Sequence, residues 1–359
     1  MAQLDGLRTL AVVAVVWSHW VPHEFHFGLP WGTGVQLFFV LSGFLITGIL
    51  LDNRPDGDNA QPGAVFLALR RFYARRFLRI FPLFYLVLVV AVVFNVDSIR
   101  AVWPWHFGYL SNVYYYLMGP DGFDHFGHFW SLAVEEQFYL VWPFLVLLLP
   151  RRALRWALFG LILVAPVFRA AISGIAPDPQ KAHYLPLSCL DALGIGALFA
   201  LVIRAKGTPQ ISPRALARFC LWVGVPGTLV VGYLMRAHLA SPAVASAGHL
   251  FMVLFYGWVV FTAANGFPGI VGRVLEWGPM VYLGRISYGL YVYHLFSELC
   301  LPTVYRWLHV APSWEASVGF RLAVQTALTL AVAVVSWHVF EKPLNDLKRF
   351  FPYPKRAGK

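Results

Sequence analysis

From Leu83 to Val96 the chain carries no charged side chain, and the same is true from Val141 to Leu149 and from Leu322 to Val335. Such stretches have no polar face to turn toward water, so they do not suit surface helices of a soluble domain. About 20 residues of this kind in helical form match the hydrocarbon thickness of a bilayer. The whole chain agrees: 59% of its 359 residues are hydrophobic and 13% are charged, against about 25% charged in soluble domains. The pattern predicts an all-α polytopic membrane protein. At about 20 apolar residues per crossing, it forms a bundle of about ten transmembrane helices. They are expected near residues 7–24, 33–51, 79–97, 128–149, 153–173, 184–204, 215–236, 246–265, 279–301 and 317–340. The first begins almost at residue 1, without a basic leader region or a small-residue cleavage site, and is expected to be retained.

The formal net charge is +11. The cations concentrate in alternate loops: Arg54 with the Arg70–Arg79 cluster, Arg151–Arg155, Arg204–Arg218, Arg273, and the Lys342–Lys359 tail. The intervening loops hold only Arg100, Lys181, Arg236 and Arg306. By the positive-inside rule this asymmetry places both termini in the cytoplasm. The charge is therefore topological, and no nucleic-acid partner is expected. The division is into a membrane domain over 1–345 and a basic cytoplasmic tail over 346–359. Cys189, Cys220 and Cys300 stand alone in apolar segments, a pattern for neither a disulfide framework nor a metal site.

Several polar residues interrupt the apolar segments. Arg8 and His19 lie eleven positions apart on the first helix, about 16 Å of rise and about 20° from eclipsed. Both therefore project from one face, with a cation at one end and a titratable base at the other. Intramembrane ionisable groups are costly and tend to mark pathways or sites, and His19 suits a general base or an acyl carrier. Glu135 and Glu136 lie in the fourth helix, about 100° apart, so one of them is expected to face His19 and orient its ring. Arg75, Arg76 and Arg79 belong to the strongest cationic cluster. Read as an interfacial helix, that cluster could meet anionic lipid; read as a clamp, Arg76 and Arg79 share a face at i,i+3 and could hold phosphate. Ser42-Gly43 interrupts an apolar run, either for close helix packing or to let a ligand arm pass. Asp191 has no evident partner in sequence, and His294 is expected to help build an interface. The aromatic loop Trp103–Phe107 and Asn112–Tyr116, with Asp121, Asp124, His125 and His128 after it, suits either an interfacial belt or a platform for sugar rings.

Taken together, these segments resemble the acyltransferase-3 family of membrane acyltransferases. The resemblance rests on Arg8 and His19 with ten residues between them, Phe38-Phe39-Val40-Leu41-Ser42-Gly43-Phe44, and Arg75-Arg76-Phe77-Leu78-Arg79-Ile80-Phe81-Pro82. It extends to Trp130-Ser131-Leu132-Ala133-Val134-Glu135-Glu136-Gln137-Phe138-Tyr139, Ser287-Tyr288-Gly289-Leu290-Tyr291 and the closing Trp337-His338-Val339-Phe340-Glu341-Lys342-Pro343. It implies an O-acyltransferase of the bacterial cytoplasmic (inner) membrane. Such an enzyme moves an acyl group, usually acetyl, from cytoplasmic acyl-CoA (acetyl-CoA as donor substrate) to a hydroxyl of a saccharide on the outer side. The acceptor expected here is an exopolysaccharide or another envelope-glycan building block, free or lipid-linked, and membrane lipids are the remaining partner. The resemblance makes Arg8, His19 and Glu135 the catalytic candidates and Arg75, Arg76, Arg79, Ser42 and Gly43 the donor-binding ones, with no metal. The sixth-helix motif departs from many relatives in lacking an arginine just before Asp191. The competing reading is a proton-coupled transporter or flippase of a lipid-linked saccharide, with Arg8, His19 and Glu135 as a proton relay; the absence of internal repeats counts against it.

Overall fold

Within hydrocarbon every backbone amide and carbonyl must be satisfied inside the chain, which favours helices for spanning segments. A computed structural model describes all of the chain except residues 27–30, 56–62, 120–124, 174–178, 206–210, 240, 316 and 355–359. Among the described residues there is no strand. Helix α1 covers Ala2–Trp20, α2 Gly34–Asp52 and α3 Ala64–Phe94. The short α4, Trp103–Phe107, and α5, Ser111–Met118, precede α6, Phe129–Leu148, α7, Arg151–Ser173, and α8, Leu190–Ile203. Then come α9, Pro213–Arg236, and α10, Pro242–Asn265. Five short helices follow: α11, Gly269–Leu275, α12, Gly278–Arg285, α13, Ser287–Tyr293, α14, Ser297–Trp307, and α15, Pro312–Glu315. Helix α16, Val318–Ser336, continues through a π-helical turn at Trp337–Glu341 into α17, Lys342–Asp346.

Eight helical stretches of the described chain are long and apolar enough to cross a membrane. Two of the ten expected spans fall outside that set, for different reasons. Helix α1 forms over 19 residues, but Gln3, Asp5, Arg8, Ser18 and His19 dilute its apolar character. The ninth expected span, 279–301, is divided: Ile286 separates α12 from α13, and the turn 294–296 separates α13 from α14. The third differs in the opposite sense. Rather than starting near 79, α3 is one helix of 31 residues, about 46 Å long, which exceeds a hydrocarbon core of about 30 Å. The arginine cluster is thus carried on the extension of a spanning helix, not on a separate interfacial one.

Helix α2 lies at the centre, with α1 and α8 against it and α6 and α10 alongside. Residues 191–202 of α8 are all buried. What lets α2 and α8 meet is a pair of missing side chains. A Cβ on Gly43 would stand 2.0 Å from the Leu193 carbonyl oxygen, and one on Gly196 would stand 2.0 Å from that of Val40. Small residues at such crossings allow the backbone-to-backbone packing that holds membrane helices together. Gly43 is therefore turned toward α8. Helix α1 is seated the same way on α12, where a Cβ at Gly284 would fall 1.8 Å from the Asp5 carbonyl oxygen.

Replacing Gly43 or Gly196 by alanine should lower the melting temperature of the purified protein in detergent, at an overpacking cost of about 1–3 kcal/mol. Gly232→Ala on α9, with nothing within 4 Å of the added carbon, should not. Equal melting of all three variants would remove the crossing from the account.

Candidate active site

Five helices bring polar side chains to one cavity in the bundle, partly open to solvent and about 690 Å³ when that open part is counted. Helix α1 contributes Arg8, α2 Ser42, α3 Arg76 and Arg79, α6 Ser131, Glu135 and Tyr139, and α13 Tyr288 and Tyr291. The arginines cluster because two periodicities coincide: Arg76 and Arg79 share a face of α3, and Arg8 is the one cation on the first turns of α1. Arg8 forms an ion pair of 2.6 Å with Asp5, one turn earlier. Arg79 donates to the Arg285 carbonyl at 3.0 Å and lies over the Trp337 ring, 5.5 Å from its centre. Arg76 faces the rings of Tyr139, at 5.2 Å, and Phe72, at 5.9 Å. Among the described residues, neither Arg76 nor Arg79 has a carboxylate within ion-pair distance. Cation–π contacts lower the cost of placing guanidinium groups there without neutralising them, so the cavity presents positive charge to whatever enters it.

Of the two adjacent glutamates, Glu135 is the one in the cavity, accepting a hydrogen bond of 2.6 Å from Ser42 Oγ. Glu136, a third of a turn away, keeps a buried Oε1 with no hydrogen-bond partner. Arg75 points to the other side of α3. Its guanidinium donates to the carbonyls of Lys348 (3.0 Å) and Phe351 (3.3 Å) and lies 4.7 Å from the centre of the Tyr353 ring. It holds the segment after α17 against α3 and is not in the cavity, and Gly43 is likewise absent from the lining.

His19 does not line the cavity. It is exposed, one residue from the end of α1. Glu135, six residues into α6, lies about 9 Å deeper along its helix. Among the described residues no carboxylate meets the imidazole. The partner that does is His294, whose Nε2 is 3.0 Å from His19 Nδ1. His294 is fully buried at the break between α13 and α14, and its ring centre is 4.7 Å from that of His128. Ser131 and Tyr291 line the cavity and connect it to this cluster by hydrogen bonds, their hydroxyls 2.5 Å apart. The Tyr291 hydroxyl donates to the His128 carbonyl at 3.1 Å, and the Tyr291 carbonyl faces His294 Nδ1 at 2.6 Å. Sequence reasoning assigned His294 to an interface and gave it no part in the site. The signal was an imidazole ending an otherwise apolar and aromatic segment.

Asp191 also acquires partners that its own neighbourhood in sequence does not supply. Arg169 of α7 donates to it at 2.7 Å, His249 Nδ1 of α10 lies at 3.4 Å, and His249 Nε2 meets Gln36 at 3.1 Å. Arg169 also donates to the carbonyls of Ser188 and Ser246. The arginine missing before Asp191 is thus replaced in space by one from a neighbouring helix. In the aromatic loop, His106 Nε2 is 3.2 Å from the Tyr115 hydroxyl, both residues are fully buried, and burial pushes the His106 imidazole down to about 4. Asn112 and Gln137 exchange amide hydrogen bonds at 3.2 and 2.9 Å. This loop is mainly a packed layer, with Trp103 left exposed. Asp121 and Asp124 lie outside the described residues.

A helical membrane bundle with a cationic cavity leading to an imidazole cluster is a class of integral membrane protein, and the sequence comparisons place it in a family. A family model described as an acyltransferase domain matches residues 1–340. The chain belongs to the acyltransferase-3 family. Among curated relatives, it is 28% identical over 370 residues to the peptidoglycan O-acetyltransferase OatA of Listeria monocytogenes, covering 95% of this chain and 55% of that protein. It is 28% identical over 379 residues to the YrhL protein of Bacillus subtilis, covering 95% and 54%. With the O-acetyltransferase OatA of Staphylococcus aureus it shares 24% identity over 383 residues, covering 99% and 59%. The chain thus spans a little over half the length of the curated relatives it matches. No solved structure matches it.

Removing one partner of a buried ion pair leaves an uncompensated charge and costs about 3–5 kcal/mol. Arg169→Leu should therefore destabilise the protein strongly in detergent, and adding Asp191→Leu should recover much of the loss. A double variant no more stable than Arg169→Leu would show that the two residues do not act as a pair.

Proposed function

We propose that this chain is a membrane O-acetyltransferase that takes an acetyl group from acetyl-CoA and esterifies a saccharide hydroxyl of the cell-wall glycan. The reading is carried by one observation: a single cavity joins Arg8, Arg76 and Arg79 to Tyr291, whose backbone carbonyl faces the His294 ring that meets His19. Arg76 and Arg79, with no carboxylate at ion-pair distance among the described residues, suit the phosphates of a nucleotide-bearing donor. The positive-inside rule applied to the loop charges supports a cytoplasmic donor end, with His19 at the outer face of the bacterial cytoplasmic membrane. The names of the Listeria and Staphylococcus relatives support acetyl as the group transferred. The Listeria name moves the acceptor from the exopolysaccharide expected at first to peptidoglycan.

In this reading the donor's phosphates rest on Arg76 and Arg79, and its acyl-pantetheine arm extends past Ser42 and Glu135 toward Ser131 and Tyr291. His19 takes the proton of the sugar hydroxyl as the oxygen attacks the thioester carbonyl. The C–O bond forms, the C–S bond breaks, and the proton passes from His19 to the departing thiolate. Glu135 is held in the cavity by the hydrogen bond from Ser42 Oγ, beside Arg8 and Arg76. Arg75 and Gly43, which face elsewhere, have no part in this scheme.

The protein purified in detergent should transfer acetyl from acetyl-CoA to a soluble peptidoglycan fragment, and His19→Ala should abolish transfer while leaving CoA binding intact. Arg76→Ala and Arg79→Ala should each weaken CoA binding by about 1.5–3 kcal/mol, measured by calorimetry. If CoA binds the double variant as tightly as the native protein, the donor does not use these arginines. If no glycan is turned over while proteoliposomes show proton-linked uptake of a saccharide, the chain is a transporter instead.

A further inference from the structure

We infer that His294 is a positioning residue for His19, fixing its imidazole in the tautomer that carries the proton on Nδ1 and the lone pair on Nε2. The inference rests on the proposed role of His19 as the base, but its central claim is a proton position that can be measured separately. His294 Nδ1 is 2.6 Å from the Tyr291 carbonyl oxygen, which can only accept, so His294 carries its proton on Nδ1. His294 is fully buried, and among the described residues no carboxylate is within ion-pair distance of its ring. An imidazolium there would be an uncompensated buried charge, so the ring is neutral and its Nε2 is an acceptor. The atom that Nε2 faces, at 3.0 Å, is His19 Nδ1. An acceptor facing a ring nitrogen at that distance requires a donor, and His19 Nδ1 must carry the proton. His19 Nε2 is then left bare, on a residue exposed at the end of α1.

The backbone around His294 holds this arrangement still. Trp20 Nε1 of α1 donates to the His294 carbonyl at 3.2 Å and Ser297 Oγ donates to it at 2.7 Å. The Trp20 contact ties α1 to the turn between α13 and α14, only one residue from His19. The His128 ring packs edge-on against the other side of His294, and His128 is itself held by the Val292 carbonyl at 3.2 Å. In catalytic triads a buried carboxylate sets the histidine tautomer. Here a neutral histidine, itself set by a backbone carbonyl, occupies that place. The consequence differs: a carboxylate also stabilises the imidazolium, whereas His294 directs the proton without adding a counter-charge.

The test uses the whole chain in detergent with histidine labelled with ¹⁵N, His19→Gln identifying the His19 resonances by their loss. Native His19 should show a protonated Nδ1 and an unprotonated Nε2. His294→Leu should let both tautomers appear and lower kcat by about 10²- to 10⁴-fold, toward the cost of a wrong tautomer, with KM for acetyl-CoA unchanged. His294→Gln, whose amide oxygen accepts the same proton, should restore the single tautomer and keep kcat within about tenfold of native. A native His19 protonated on Nε2 overturns the inference, whether or not the leucine variant folds. So does a folded His294→Leu with native kcat, or a glutamine variant as impaired as the leucine one. If His19→Gln retains native transfer while the native tautomer is as stated, it is the proposed role of His19 that fails, and the two outcomes remain distinct.

Discussion

Guanidinium groups inside an apolar bundle must find partners, and how each one does so organises this structure. An isolated charge in a low-dielectric interior is expensive, yet the bundle holds several arginines with different solutions. Arg169 is closed off by Asp191 and backbone carbonyls, fully buried and paired. Arg76 and Arg79 receive aromatic faces and one carbonyl, which reduce the cost but leave the charge uncancelled. The first arrangement is a structural tie among α7, α8 and α10. The second leaves a demand for anions that a ligand can meet. One residue type thus serves cohesion in one place and recognition in another, and the difference lies in whether a carboxylate is within reach.

The divided ninth helix is the second device. Irregular backbone at membrane depth is tolerated where it is buried in protein, and the turn at 294–296 is packed against α1, α6 and α14 through Trp20, His128 and Ser297. An unbroken helix would have committed the His294 carbonyl to its own i+4 amide. The break releases that carbonyl to Trp20 and Ser297 and leaves its ring between His19 and His128. The continuity from cavity to imidazole runs through Tyr291 and Ser131, one turn away on α13 and α6. The π-helical turn at Trp337–Glu341 plays a related part on the Arg79 side. It presents Trp337 to the guanidinium and buries Glu341, whose Oε1 accepts from Ser336 Oγ at 3.1 Å.

What the chain's order of residues determined by itself is considerable. Uncharged apolar runs admit little other than membrane helices, and a period of 3.6 places Arg8 with His19, and Arg76 with Arg79, on common faces whatever surrounds them. The motif order carries the family. Periodicity, however, describes a side chain only relative to the axis of its own helix. The rotation and depth of one helix against another are set by packing, here by glycine crossings such as Gly43 with Gly196 and Gly284 with Asp5. Those crossings decided that Glu135 meets Ser42 and not His19, that Gly43 packs on α8, and that Arg75 faces the segment after α17. They also supplied partners from far along the chain: Arg169 for Asp191, 22 positions earlier, and His294 for His19, 275 positions later. No local pattern encodes such pairings, because each depends on how whole helices settle against one another before their side chains can meet.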